Sequence, residues 1–376
     1  MIKPLHTLPF LAYLLVSIAA CNTAGRGIFA KKTAREKYED RIEKIESPAV
    51  MAWKKMGEKA LLNPLSVPAP YAETGIFSGD SSDANAFLFS AGAGQKIVVS
   101  ATRADAATFT SFLELWDASN PGSPKLLRAA DTMLNSIEYA AAEGGKFIVR
   151  LQPKLASRGK YNLKIALSPI LGFPIPNTIK SSIGSLWGDA RDAGARKHEG
   201  IDIFAKKGSP VVAVTDGVVR RTGDGGIGGK VIWFNPAGEN FSVYYAHLDT
   251  QYVSGGQRVS KGEVMGTVGN TGNAQFTPAH LHFGVYTASG AVNPLGFVQA
   301  VTPPALAPSI KNLDVWYKTS SKLKLYASPG KKGQPIAATG SRVKTVSVGK
   351  DFYKVLLQNG EKAYVSINDL TEKMKM

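Results

Sequence analysis

The sequence predicts a mainly β, multi-domain protein. It is expected to hold a β-sandwich, a second β-sheet unit and a small β-barrel. Three observations carry this. The chain has 376 residues, enough for two to four domains. It contains 38 Gly and 21 Pro, a density of turn formers that favours short strands over long helices. Hydrophobic residues make up 44% and charged residues 20%, so most of the chain can bury cores and extensive disorder is excluded.

Residues 1–20 read as an export signal: Lys3, then an apolar run from Leu8 to Ala20 that ends in small residues and is too short for a membrane span. The chain's one cysteine, Cys21, follows Ile18-Ala19-Ala20. This arrangement resembles a bacterial lipobox, which implies cleavage before Cys21 and its acylation. The expected result is an exported protein held on a membrane through lipid. Asn22 in place of an aspartate points to the outer membrane, facing the periplasm. With one cysteine there is no intrachain disulfide and no cysteine-based zinc site.

Residues 21–70 are charge-rich and read as a stalk. Thr33 and Glu36 match a capping box, and Ala34, Tyr38, Ile42 and Ile45 follow at helical spacing until Pro48. From 71 to 168 the pattern changes to period two, as in Ala86–Phe89, Lys96–Ser100, Lys146–Leu151 and Tyr161–Ile165, which predicts the sandwich. Gly94–Val98, Leu113–Asp117 and Gly159–Leu163 resemble motifs of the bacterial pre-peptidase C-terminal domain. Asp80, Asp83, Asp105, Asp117 and Asp131 are too scattered for a calcium loop and read as turn residues.

A linker is expected over 169–183, marked by Pro169, Pro174 and Pro176, then the second β-sheet unit over 184–300 and a Pro/Ala spacer over 301–312. Residues 313–371 resemble a bacterial SH3-like domain, through Leu323–Pro329, Asp351–Val355 and Asn359–Val365.

The histidines locate the chemistry. Beyond His6 in the signal there are four, at 198, 247, 280 and 282, all within one unit. His280 and His282 share one face of a strand whose Leu281 and Phe283 face a core. His198 and Asp202 also share a strand face, but a flat strand would hold them about 13 Å apart. Gly200 between them permits a bend that brings them together. Five such polar groups without a metal or partners would cost several kcal/mol to bury. Three protein ligands and a water make the usual catalytic zinc site, so four histidines and an aspartate leave groups over for a base.

His198-Glu199-Gly200-Ile201-Asp202 and His280-Leu281-His282 resemble the signatures of the lysostaphin/LytM-type zinc endopeptidases. Gly208–Ala213, Asp216–Val219, Tyr245–Leu248, Gly262–Gly266 and Gly269–Gly272 resemble the frame around them. The resemblance covers about 184–298. It implies that His198, Asp202 and His282 bind one Zn²⁺ per chain, that His280 is the base, and that His247 hydrogen-bonds the water or the oxyanion. Degenerate relatives that activate amidases have lost ligands, whereas here all five positions are filled. An intact set does not by itself prove activity, and the Pro-rich linker or the first sandwich is the candidate segment for occluding the cleft.

The net charge is +16, and residues 310–376 carry 13 Lys/Arg against 5 Asp/Glu, which suits an anionic partner. The expected partner is peptidoglycan, with the SH3-like unit as a wall-binding module and the lipid as the membrane contact. Nucleic acid is not expected for an exported protein. The reading is therefore a zinc endopeptidase that hydrolyses stem peptides or cross-links of peptidoglycan. Its rivals are a wall-binding regulator of amidases that does not cleave, and a peptidase of exported proteins.

Overall fold

Strands dominate the protein, grouped in several sheets, as a mainly β chain requires. The computed structural model describes residues 31–79, 83–105, 109–120, 122–131, 135–306, 313–318, 323–329, 335 and 342–370. The expected signal, Cys21 and Asp80 lie outside them. No described helix is long and apolar enough to cross a membrane.

The segment read as a stalk is docked. Thr33 and Glu36 form the reciprocal capping box, with bonds of 3.2 and 2.7 Å, and the helix Ala34–Ile42 follows. Pro48 opens a second helix, Pro48–Leu62, at a position where its missing N–H is no loss. Trp53 is buried and its indole donates 2.8 Å to the Pro153 carbonyl. Arg35 lies 4.7 Å over the Trp53 ring and donates 3.0 Å to Gln152 Oε1. Ile42, Val50 and Trp53 are buried with Phe112, and Ala34 and Tyr38 pack against them, so the apolar stripe at helical spacing is a docking face and not the side of a free stalk.

Two sheets enclose the first core. One is ordered Asn85–Ala91, Gly145–Pro153, Ser111–Asp117, Lys125–Ala129, and the other Tyr71–Ser78, Arg158–Pro169, Gln95–Arg103, Ser136–Ala141. Phe87, Leu115 and Val149 from the first face Phe77, Val99 and Leu163 from the second, all fully buried. Asp83, Asp105 and Asp117 accept backbone N–H groups at turns, the role their scatter suggests.

The second of these sheets does not stop at its edge. Tyr71–Ser78 also pairs with Arg342–Val348, so the C-terminal unit continues the same sheet through Phe352–Leu357 and Lys362–Ser366. At the junction Glu73 is fully buried. It accepts from Lys354 Nζ at 2.7 and 2.9 Å, Tyr71 at 2.6 Å, Tyr161 at 2.7 Å and Ser347 at 2.8 Å. Lys362 Nζ reaches Ala84 O and Asn85 Oδ1 at 3.0 and 2.8 Å, and burial pulls its pKa down to about 8. Of the basic residues that made the C-terminal segment look like a polyanion-facing surface, Lys354 is therefore internal and Lys362 is half-buried.

Burial alone would raise the Glu73 pKa, but the Lys354 ammonium and the hydrogen bonds outweigh it and hold it below 4.5. A depressed carboxyl contributes stability above its ordinary pKa, and that contribution fades as pH falls through the folded value. Glu73→Gln leaves Lys354 buried and unpaired, so a loss of about 3–5 kcal/mol is expected at neutral pH. Replacing both residues with apolar side chains should recover most of it. Denaturant melts of the three proteins at pH 7 and pH 4 check both points: the acid-induced loss should be smaller without the carboxyl.

The third core belongs to the sheet ordered Ser181–Ser185, Ile201–Ala205, His280–Thr287, Ser242–Gln251, Lys230–Pro236, Gly217–Gly223, Arg258–Val259. The stretch read as a linker over 169–183 is part of this unit. Leu171 and Ile175 are buried in its core, Gly172 N–H donates 2.7 Å to Val214 O, and Val212 N–H donates 2.9 Å to Pro174 O. Three prolines mark an extended strap here, and an extended strap can pack as well as span. Phe297, also buried in this core, sits on the sandwich turn at Gly94, where a Cβ would lie 2.2 Å from its ring.

Candidate metal centre and cleft

Two neighbouring strands set the site. Ile201–Ala205 and His280–Thr287 run antiparallel, with Asp202 opposite His282 and Phe204 opposite His280. Ile201, Ile203, Leu281 and Phe283 point into the core at 0% exposure, so the alternating Asp202, His280 and His282 stand on the other face. His198 precedes the first strand and is brought back over it by the turn at Gly200.

The donor atoms converge. His198 Nε2 lies 3.1 Å from Asp202 Oδ1 and 3.0 Å from His282 Nδ1, and His282 Nδ1 lies 3.1 Å from the same Oδ1. Two ligands on a tetrahedral zinc stand roughly 3.4 Å apart at the usual bond lengths. His198 Nδ1 donates 2.8 Å to the Leu186 carbonyl, which leaves the Nε2 lone pair facing the cluster. Two imidazole nitrogens and one carboxylate oxygen suit zinc in number and in kind, and these residues can hold a metal ion.

Gly200 does more than bend the chain. A Cβ there would lie 2.5 Å from His282 Cε1 and 2.6 Å from its Nε2, so the imidazole occupies space that only glycine leaves open. His282 is also flanked by Ala246 on the Ser242–Gln251 strand.

The remaining histidines stand beside the cluster. His280 Nδ1 donates 2.8 Å to Pro278 O, and its Nε2 is 4.0 Å from Asp202 Oδ1. His247 Nδ1 donates 2.9 Å to Thr271 O. Its ring centre is 5.0 Å from that of His280 and 5.9 Å from that of His282. It sits at a bulge against Lys230–Pro236 with φ of 60°, a conformation that costs a non-glycine residue on the order of 1–3 kcal/mol. His198, His247, His280, His282 and Asp202 are thus gathered in one place.

Electrostatics follow burial. Burial opposes ionisation of Asp202, yet hydrogen bonds from His198 and His282 hold its carboxyl far below the usual range. Burial, with His280 adding to it, pushes His247 down to about 4, so its imidazole is neutral at pH 7. Burial likewise lowers His282.

Sequence reasoning missed Arg191. Its Nη2 donates 2.7 Å to Asp202 Oδ2 and 2.7 Å to Ser185 Oγ. Ser185 Oγ in turn donates 2.9 Å to Asp189 Oδ2, which also accepts from Leu186 N–H at 2.8 Å. This chain of bonds ties the Asp202 carboxylate to the loop whose Leu186 carbonyl holds His198. No motif carries it, because the contacts depend on how the loop folds over the strand.

The cluster lies in a cleft of about 550 Å³. Arg191, Arg196, Lys197 and Glu199 form part of its wall, with Tyr244 and Tyr286 among the other lining residues. No residue before Ser185 lines it, so among the described residues neither the strap over 169–180 nor the sandwich covers the site.

Residues 196–294 match the model of peptidase family M23. The chain is 40% identical over 126 residues to the L-Ala–D-Glu endopeptidase of Bacillus subtilis, covering 31% of this chain and 38% of that protein. It is 33% identical over 88 residues to the peptidoglycan DD-endopeptidase ShyC of Vibrio cholerae, covering 23% and 20%. It is 28% identical over 176 residues to the murein hydrolase activator NlpD of Salmonella dublin, covering 43% and 45%. The chain thus spans less than half the length of each of these relatives. The converged histidines and aspartate fall inside the matched residues, and the chain carries a domain of peptidase family M23.

Proposed function

We propose that this chain is a zinc endopeptidase that hydrolyses stem peptides or peptide cross-links of peptidoglycan in the cell envelope. The observation that carries this reading is the convergence of His198 Nε2, Asp202 Oδ1 and His282 Nδ1 within 3.0–3.1 Å of one another, in a cleft that also holds His247 and His280. The relatives named as endopeptidases of peptidoglycan support the substrate class. The accessory β units and an acylated Cys21 would hold the enzyme at the wall and on the outer membrane. Cys21→Ser is then expected to move the protein from the membrane pellet to the soluble fraction, and continued pelleting would remove the anchor from the account.

His198, Asp202 and His282 would hold the ion. Bound zinc lowers the pKa of water to about 7 and polarises a carbonyl. His280 supplies the base: its Nδ1 proton is committed to Pro278 O, so Nε2 offers the lone pair that takes the proton and later passes it to the leaving amine. His247 is neutral, and with Nδ1 committed to Thr271 O its Nε2 is left to accept a hydrogen bond from water. Arg191 engages Oδ2 of Asp202, which would leave Oδ1 to serve as the ligand.

Purified full chain is expected to bind zinc and release soluble fragments from sacculi. Zinc binding with no release would favour the regulatory rival, and cleavage of unfolded proteins but not of sacculi would favour a general peptidase. Gly200→Ala should weaken zinc binding about 10- to 100-fold by displacing the His282 ring, as read by competition with a chromogenic chelator. Unchanged affinity would show that the ring has room to move.

A further inference from the structure

We propose that Arg191 determines specificity, by receiving a free carboxylate carried by the residue next to the scissile amide, so that the substrate of this cleft is an acidic peptide. This rests on the endopeptidase reading above and narrows it.

Arg191 belongs to a small ribbon in which Ala190–Arg191 pairs with Arg196–Lys197. Only its last two residues fall within the family match over 196–294, so most of the ribbon lies outside the matched residues. Binding residues commonly sit on loops held by a rigid frame.

The guanidinium is only partly used. Both of its hydrogen bonds, to Asp202 and Ser185, leave from Nη2. Nε and Nη1 have no hydrogen-bond partner among the described residues, while the side chain is 31% exposed and lines the cleft. Nη1 is thus left to donate a charge-assisted hydrogen bond to one oxygen of a carboxylate, which the cation also attracts as a whole. Lys197 and Glu199 line the same wall.

The place matters as much as the chemistry. Arg191 meets Oδ2 of Asp202, whereas the convergent donor atoms surround Oδ1. A peptide whose scissile carbonyl lies at the donor atoms sets its next residue about 3.3–3.6 Å along the chain, on the scale of the carboxylate that separates Arg191 from those atoms. In the proposed pose a carboxylate presented there meets Nη1 of Arg191.

The test uses the full chain and two stem-peptide substrates that differ only in whether the side-chain carboxyl beside the cleaved bond is free or amidated. The expected ratio of kcat/KM is about 10- to 100-fold in favour of the free acid, the scale of a charge-assisted hydrogen-bonded pair. In Arg191→Gln the ratio should fall to near one, and in Arg191→Lys, which keeps charge but not the Nη1 donor, to an intermediate value. Because Arg191 also touches Asp202, the ratio is read rather than the rate, and zinc content is measured for each protein. A second readout needs no turnover: the acid and amide forms of the product peptide are titrated into zinc-free protein, and tighter binding of the acid should vanish in Arg191→Gln. Equal handling of acid and amide by the unmodified protein in both readouts would overturn the proposal, as would a preference that survives Arg191→Gln. If neither peptide nor sacculi is cleaved while the acid still binds tighter through Arg191, the endopeptidase reading fails and the carboxylate site stands.

Discussion

Asp202→Ala is expected to leave the purified protein with essentially no bound zinc and no measurable hydrolysis of sacculi. Asp202 is the one anionic member of the converged set and the point to which both His198 and His282 are drawn at 3.1 Å. Without it, two imidazoles would face each other at 3.0 Å with no charge to offset a dication. The loss extends beyond the ligand, because Arg191 would keep its bond to Ser185 but lose its carboxylate, placing an unpaired cation beside the same space. Metal analysis after dialysis, together with release of soluble fragments, checks the outcome. Full zinc occupancy in this variant would place the ion elsewhere.

His280→Ala is expected to behave differently. Zinc should remain, because His280 Nε2 stands 4.0 Å from Asp202 Oδ1, outside the 3.0–3.1 Å triangle. Turnover should fall by about 10²–10⁴-fold, the usual contribution of a positioned general base. The pH–rate profile should also lose the limb that reports the base. Loss of zinc along with activity would make His280 a ligand instead. The contrast between the two variants separates holding the ion from moving the proton.

The donor set was legible in the sequence because its members are local to short motifs. His280 and His282 share a strand face through period-two alternation, and the strand His280–Thr287 forms as that pattern requires. The pairing of Asp202 with His282 across two strands, which completes the cluster, was implied only by resemblance, since register between distant strands leaves no local mark. Gly200 was readable as a bend; that its missing Cβ makes room for the His282 ring depends on a neighbour 82 positions away. The left-handed backbone of His247 and the bond from Arg191 to Asp202 are likewise consequences of tertiary folding.

The domain plan shows the same limit. Period-two runs predicted the strands of the first unit, and their bounds agree closely with Asn85–Ala91, Gln95–Arg103 and Gly145–Pro153. Composition, however, reports solvent preference and not partners. The charged segment after residue 30 docks through Trp53, the proline-marked strap enters a core through Ile175, and Lys354 in a strongly basic region is buried against Glu73. In each case a buried polar or irregular contact replaces the exposed role that composition suggests.

The central claim is that one zinc ion is held by His198, Asp202 and His282. Anomalous diffraction at the zinc absorption edge, from crystals of the full chain, tests it most directly. A single strong peak about 2.0–2.2 Å from His198 Nε2, Asp202 Oδ1 and His282 Nδ1 is the predicted result. Zinc-soaked crystals with no peak there, and the three side chains still bonded to one another, would contradict it.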